Sequence, residues 1–534
     1  MRRVLLLLLA AAAAAGSARA QAATSRFWRP EERTLVTDLA GVTAVAATQM
    51  VVYAATRDAL AVYDRGAMAL RDVVGTADGY PGGQVTAMAA DPTDDTAWLG
   101  GLGGWASYQP LGRRFEGGSL PGAVDQVVLD ATSPSQGAYF HTPAGWYFVA
   151  KLGIGAEPAR TVPPPGRRIA SLGPQDLLAR APSFEVVRLR IQRDDHLRTW
   201  PISGGAITPA MPELFVATDG NGLFKVDLQT YDLQRFPSGL LAGPTASVAV
   251  AGDQVCAGVD ARFRSVRRGV TCFDPDLERF ERIEGSTVTG LPGTIVRRLL
   301  VTRGAVWAAT DQGALRVDRS SEGGGGAVRQ FDTRSGLPDL NARALAAAAA
   351  GVWVGTANGV ALFPDDAGTL RASATVRLDA DVLALAAHGD TLWLGTSNGI
   401  LALPPGAEEP LRAAAERPEL AVPVVALAWK GDTLLAATAS RLAWSAGGQG
   451  EWHVSASAGS SVGTFTALAP DPAGFWVAGT LGLGFFQPAR GTWHALTAPG
   501  DVPQPVADVA AGGRWAWAAT PLGVVRLERR VLVP

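Results

Sequence analysis

Eleven times along the chain one phrase returns: a bulky residue, two or three small ones, a tight polar turn, a glycine, and a second apolar alternation. The clearest copies run from Val306 to Val317, Val352 to Phe363 and Leu392 to Leu403. The bulky positions are Tyr53, Trp98, Phe140, Phe215, Cys256, Trp307, Trp353, Trp393, Leu435, Trp476 and Trp517, and from Trp307 onward they are spaced by 46, 40, 42, 41 and 41 residues. Strand signals that repeat at about forty residues, separated by glycine-containing turns, predict an all-β β-propeller in which each unit is one four-stranded blade. Eleven blades are expected, or twelve if the 75 residues between Phe140 and Phe215 hold a degenerate one. A single ring usually closes with about four to eight blades, so two rings follow.

Each part of the phrase has a mechanical role. Its two apolar alternations form adjacent strands whose faces both meet neighbouring blades, so both must be apolar or small. The turn pairs Asp311-Gln312, Ala357-Asn358 and Ser397-Asn398 each precede a glycine able to adopt positive φ. Thr310, Thr356, Thr396 and Thr438 stand where a hydroxyl can satisfy turn amides. Small-residue runs before the phrase, as at Ala342 to Ala350 and Val382 to His388, suit the crowded innermost strand. Runs after it, as at Gly450 to Ala456 and Gly491 to Thr497, supply the outermost one. The aromatic series is read as inter-blade packing first, and only secondarily as a stacking platform for flat ligands.

Composition narrows the function. The 534 residues include 63 Gly and 35 Pro, only 18% are charged, and the formal net charge is −2, which argues against a nucleic-acid protein. Arg2 and Arg3 precede an apolar run from Val4 to Ala15, and Ala18-Arg19-Ala20 offers small residues where a signal peptidase reads them. Residues 1–20 are therefore expected to be a signal peptide, with a retained anchor as the alternative. Removing them leaves 44 basic against 49 acidic residues, about −5. No membrane span is expected after signal removal, and the location expected is periplasmic or secreted.

That compartment permits a disulfide. Cys256 replaces the tryptophan of the phrase, and Cys272 falls where Arg316 lies in the copy beginning at Val306, opposite Trp307 across a two-residue turn. If the register survives the longer turn between Val259 and Arg268, Cys256 and Cys272 face each other and can bridge; two buried free thiols are the alternative.

The segment at about 151–196 does not fit the repeat. It opens on a Pro-rich loop, and Asp176 to Ala179 suit a short helix. It reads as an insertion on the third blade, with a degenerate blade as the alternative, and the outer strand is expected to resume near Leu197 to Ser203. The domains expected are a first propeller over 21–292 and a second over 293–534.

VWVGTANGVALF and its relatives resemble the two-component regulator propeller repeat, and Gly290-Leu291-Pro292 and Gly336-Leu337-Pro338 look like that family's inter-blade connections. The resemblance implies an extracytoplasmic sensor, often of paired propellers, joined through a membrane helix to a kinase. This chain carries no such helix or kinase, so a stand-alone ligand- or partner-binding form is the expectation.

Candidate chemistry is sparse. Gly459-Ser460-Ser461-Val462-Gly463 matches a serine-hydrolase elbow, but that motif needs a strand before and a helix after it, whereas here it falls between blade strands. His141, His196, His388, His453 and His494 show no zinc spacing. Asp219-Gly220-Asn221-Gly222 and Asp91-Pro92-Thr93-Asp94-Asp95 offer oxygen ligands for calcium, yet both also read as ordinary turns. No metal or cofactor is expected. The residues singled out for binding are Arg297 and Arg298 at the start of one innermost strand and Asp339, Asn341 and Arg343 at the next, with a solvated rim as the competing reading. The function expected is non-catalytic binding of a partner protein or extracellular polymer. The alternatives are a propeller-scaffold polysaccharide lyase or glycosidase, and a separately encoded receptor module.

Overall fold

The structure, a computed structural model, describes residues 28–153, 155–181, 184–207, 212–262, 268–285, 295–319, 326–455, 459–496 and 501–529. The expected signal peptide and the Gly290-Leu291-Pro292 run lie outside them. Among the described residues the chain forms eleven antiparallel sheets: nine of four strands, one of three and one of five. All eleven bulky positions lie on the second strand of a sheet. We number the blades in chain order: blade 1 (44–75), 2 (85–123), 3 (126–169), 4 (202–235), 5 (245–285), 6 (296–331), 7 (342–377), 8 (382–412), 9 (424–455), 10 (465–496) and 11 (508–528).

Contacts between innermost strands make two rings, one closed by strands alone and one completed by a segment between blades 3 and 4. The innermost strands of blades 5 to 11 touch one after another, and that of blade 5, Thr245–Ala251, touches that of blade 11, Asp508–Gly512. The innermost strands of blades 1, 2 and 3 also touch in order, and that of blade 4, Ile202–Ile207, packs on that of blade 1, Ala44–Ala47. Spacing alone suggests a division at residue 292, but the contacts run differently. Thr245–Ala251 and Val296–Val301, on either side of that point, are neighbours in the seven-bladed ring.

The strand Arg33–Val36 explains this arrangement, because it forms the outermost strand of blade 11 by pairing with Gly523–Glu528. The described chain thus begins in the large ring, leaves it through 37–43, builds the small ring, and returns through 236–244. The two crossing segments lie side by side: Leu39 donates its N–H to Ser238 O (3.0 Å) and Leu240 to Thr37 O (2.9 Å). Arg282 on blade 5 donates to the carbonyls of Ser238, Gly239 (3.1 Å) and Leu240 (2.7 Å), clamping the return segment. One apolar core runs through both rings, including Leu35, Leu39, Tyr63, Phe236, Trp476 and Val525.

The irregular segment occupies the place of a blade without being one. Ala156–Pro158 is the outermost strand of blade 3, and Arg168–Ile169 adds a fifth strand on its inner edge. Two helices follow, Pro174–Arg180 and Glu185–Gln192; the first begins with proline, whose fixed φ suits an opening turn. Leu177, Phe184, Val187 and Ile191 bury themselves against Leu214, Val216 and Phe224 of blade 4. A helical wedge therefore separates blades 3 and 4, and the strand expected near Leu197 to Ser203 is instead the innermost strand of blade 4, starting at Ile202. Lys151 pins the start of the wedge, pairing with Asp91 and Asp94 at 2.6 Å each.

The turn chemistry matches the sequence. Thr310, Thr356 and Thr396 donate their hydroxyls to the carbonyls of Gly313, Gly359 and Gly399 at 2.9, 3.0 and 2.9 Å. Gly313 sits at φ 106°, where a Cβ would lie 2.2 Å from Phe331 O, so no side chain fits there. Cys256 and Cys272 pair directly across blade 5 and form a disulfide, with Cα atoms 4.1 Å apart.

The tryptophan series holds with one exception. Trp98, Trp307, Trp476 and Trp517 are fully buried, while Trp353 is only half-buried. Trp307 lies parallel to Phe331 and donates its indole N–H to Asp365 on the next blade, at 2.9 Å. At the corresponding place beside Trp353 stands Pro404-Pro405-Gly406, and the ring lines an open groove instead.

Candidate functional site: the mouths of two rings

A single backbone device organises both ring mouths. In eight sheets the register slips at the second residue of the innermost strand, freeing that residue from the ladder. The freed residues are Thr86 and Ser203 in the small ring and Ala246, Arg297, Arg343, Leu383, Val425 and Thr466 in the large one. Where the freed residue carries a hydroxyl, it donates to the carbonyl two residues before the next blade. Thr86 reaches Val124 O, Ser203 reaches Val42 O, and Thr466 reaches Val506 O at 2.7 Å. The slip therefore staples one blade to the next. Ser203 to Val42 is the staple that closes the small ring.

All the residues singled out from the sequence lie at this level of blades 6 and 7, but most are committed to the protein itself. Arg298 forms an ion pair with Asp508 of blade 11, reaching past blade 5. Burial pushes the Asp508 carboxyl up and Arg298 works against that rise, while the Val248 N–H also donates to it (3.1 Å). Asp339 accepts from the Asn341 N–H (2.7 Å) and from Asn358 Nδ2 (3.3 Å). Arg343 staples to Asp381, immediately before blade 8, at 2.8 Å.

The staple between blades 6 and 7 is open. Arg297 is its donor by position and Asn341, just before the next innermost strand, its acceptor. Yet Arg297 Nε and Asn341 Oδ1 are both buried without a hydrogen-bond partner. Buried polar atoms are nearly always paired, and Arg343 Nε on the next blade is a third exception. Burial lowers the Arg297 pKa, and Arg343 adds to the effect. Leu383 and Val425 continue the same position on blades 8 and 9 as half-buried aliphatic groups.

The small ring holds a cavity that the sequence reading did not locate. It measures about 310 Å³ and is lined from all four blades and from the wedge. Asp125 directly precedes the strand Gln126–Asp130 of blade 3, and Asp125 Oδ1 lies 2.6 Å from His141 Nδ1. His141 stands beside Trp146, ring centroids 4.8 Å apart, and the Arg168 guanidinium lies 5.4 Å from the same indole. Arg168 is fixed further by donating Nε to Pro163 O at 2.7 Å. The blade-3 hairpin pairs His141 with Trp146, whereas Arg168 comes from the irregular segment and reaches the mouth only through its folding.

The remaining sequence candidates are structural. Ser461 lies in a one-turn helix, Gly459–Val462, and accepts from Trp493 Nε1 at 2.9 Å. Asn221 donates to Ile191 O (2.8 Å) and accepts from Arg235 (2.8 Å), tying the wedge to blade 4. Asp91 and Asp94 share Lys151, which fills the position a cation would take. Among the described residues no group of three or more His, Cys, Asp or Glu could hold a metal ion, and no helix is long and apolar enough to cross a membrane.

The fold defines a paired β-propeller of the kind the repeat resembles. No protein-family model matches the chain, and no curated protein matches its sequence. Among solved structures it is similar to PorZ of Porphyromonas gingivalis, described as a bacterial surface component of the type-IX secretion system, with 11% identity, a TM-score of 0.54, and coverage of 93% of this chain and 87% of that one. Extracellular domains of two Bacteroides thetaiotaomicron regulators also match. These are BT4673, a putative one-component system (13% identity, TM-score 0.43, 91% and 70% covered), and BT3049, a putative hybrid two-component system (14%, 0.42, 90% and 60%). At these identities the likeness is one of fold.

Proposed function

We propose that this chain is a non-catalytic, extracytoplasmic paired propeller that binds a partner protein or extracellular polymer at the mouth of its large ring. In this reading the binding unit is the seven-bladed ring, 245–528 with Arg33–Val36, and the small ring, 44–235, is a module inserted after residue 36. The observation that carries the reading is the open staple: Arg343 and Thr466 bond to the next blade, whereas Asn341 Oδ1, facing Arg297 by position, is buried without a partner. A ligand group that both accepts and donates would satisfy them together. The basic and apolar leader, the disulfide, and the surface or extracellular setting printed for the similar structures support the compartment. The test is capture of bound material from culture fluid and periplasm by the full chain and by Arg297→Ala and Asn341→Ala variants. Material held by the parent and lost from both variants, at unchanged melting temperature, is the expected result. Equal capture by all three, or none by the parent, sinks the reading.

A further inference from the structure

We infer that the cavity at the mouth of the small ring is a second binding site, built for one compact, uncharged, polyhydroxylated unit such as a neutral sugar ring. The inference goes beyond the large-ring reading and stands without it. Size is the first argument. At about 310 Å³ the cavity lies at the small end of ligand pockets. It holds the volume of roughly ten waters, enough for a single sugar ring.

The lining is the second argument. Asp125 presents a carboxylate, Gln126 an amide and Arg168 a guanidinium, arranged around hydroxyl-bearing strand starts at Thr86 and Ser203. Carboxylate and amide oxygens accept from vicinal hydroxyls, and guanidinium and amide N–H groups donate to them. A wall whose polar groups include both donors and acceptors suits a ligand that carries both.

Preorganisation is the third. Trp146 carries both His141 and Arg168 against its ring, and His141 in turn contacts Asp125, so the groups are already oriented toward one another at the mouth. Among the lining residues, Asp125 and Asp176 outnumber the single cation Arg168. Acidic sugars are therefore disfavoured against neutral ones.

The experiment is titration of the full chain with glucose, galactose, mannose, N-acetylglucosamine, glucuronate and galacturonate, read by ligand-observed NMR and calorimetry. At least one neutral sugar should bind. Asp125→Asn and Arg168→Gln should each weaken it tenfold or more at unchanged melting temperature, while Arg297→Ala leaves it intact. Three outcomes each overturn the inference: no neutral sugar binding the parent, binding that survives both variants, or uronates binding more tightly than their neutral counterparts. Because Arg297→Ala reports on the other ring, failure here leaves the large-ring reading to its own test.

Discussion

Arg526 donates its Nη2 to the hydroxyl of Thr34, 492 residues earlier in the chain, at 3.0 Å. The bond fastens the first described strand onto the last, and it joins the four-residue ladder from Arg33↔Leu527 to Val36↔Val524. The large ring is thus closed by a strand synthesised before the small ring exists. A chain lacking residues 33–36 should leave blade 11 without its outer strand. We expect it to aggregate or to melt well below the parent, while the small ring keeps protease-resistant strands. Pulsed proteolysis with mass spectrometry reads the two rings separately, and equal resistance of both in the shortened chain would contradict the closure.

The disulfide should carry measurable stability. It closes a loop of 16 residues, for which loss of unfolded-state freedom corresponds to about 3 kcal/mol. Paired Cys256→Ser and Cys272→Ser substitution should lower the denaturant midpoint of the large ring by that order, and reductant should have the same effect on the parent and none on the variant.

Two tryptophans at the same repeat position should behave differently. Trp307 is fully buried and bonded to Asp365, so Trp307→Ala should cost on the order of 3–5 kcal/mol. Trp353 lines an open groove, and Trp353→Ala should cost less than half as much. Equal losses by urea denaturation would mean that the groove is covered in solution.

Arg282 holds the return segment between rings through three carbonyls. Arg282→Ala should speed proteolytic cleavage within 236–244 severalfold while leaving the melting of the rings nearly unchanged. Cleavage at the parental rate would show the clamp to be redundant with the Leu39 and Leu240 backbone bonds.

A pH dependence follows from the small ring. Glu213 on blade 4 accepts from Arg65 on blade 1 (2.6 Å) and from Lys225 (2.7 Å). Burial acts to raise its pKa, but the bonds from Lys225 and Arg65 together outweigh it and hold the carboxyl below its usual range. A carboxylate depressed in the folded state contributes stability above its unfolded pKa, near 4.3, and loses it as pH falls through the folded value. Glu213→Gln should therefore flatten the decline of the denaturation midpoint below about pH 4, and a decline as steep as the parent's would remove Glu213 as a cause.

Much of the molecule was legible because its signals are local. The Thr hydroxyls, the turn glycines and the second-strand position of all eleven bulky residues follow from contacts within one hairpin. So does the Cys256–Cys272 register. Arg297 and Asn341 were visible as polar residues at successive strand starts, but their lack of partners was not. Whether a freed residue finds the carbonyl of the next blade depends on the distance between blades, which no hairpin encodes. Trp353 was misplaced for the same reason: its cover belongs to a neighbouring blade, and Pro404-Pro405 does not supply it. His141 and Trp146 meet across the blade-3 hairpin, but nothing periodic brings Arg168 to them.

By itself the sequence determined the blade, since alternation, turn chemistry and small residues act over a few neighbouring positions. Only the tertiary structure decided that four blades and a helical wedge form one ring while seven close another. Ring size is set by contacts between blades and by the return of Arg33–Val36 to Gly523–Glu528, a pairing whose partners are separated by almost the whole chain.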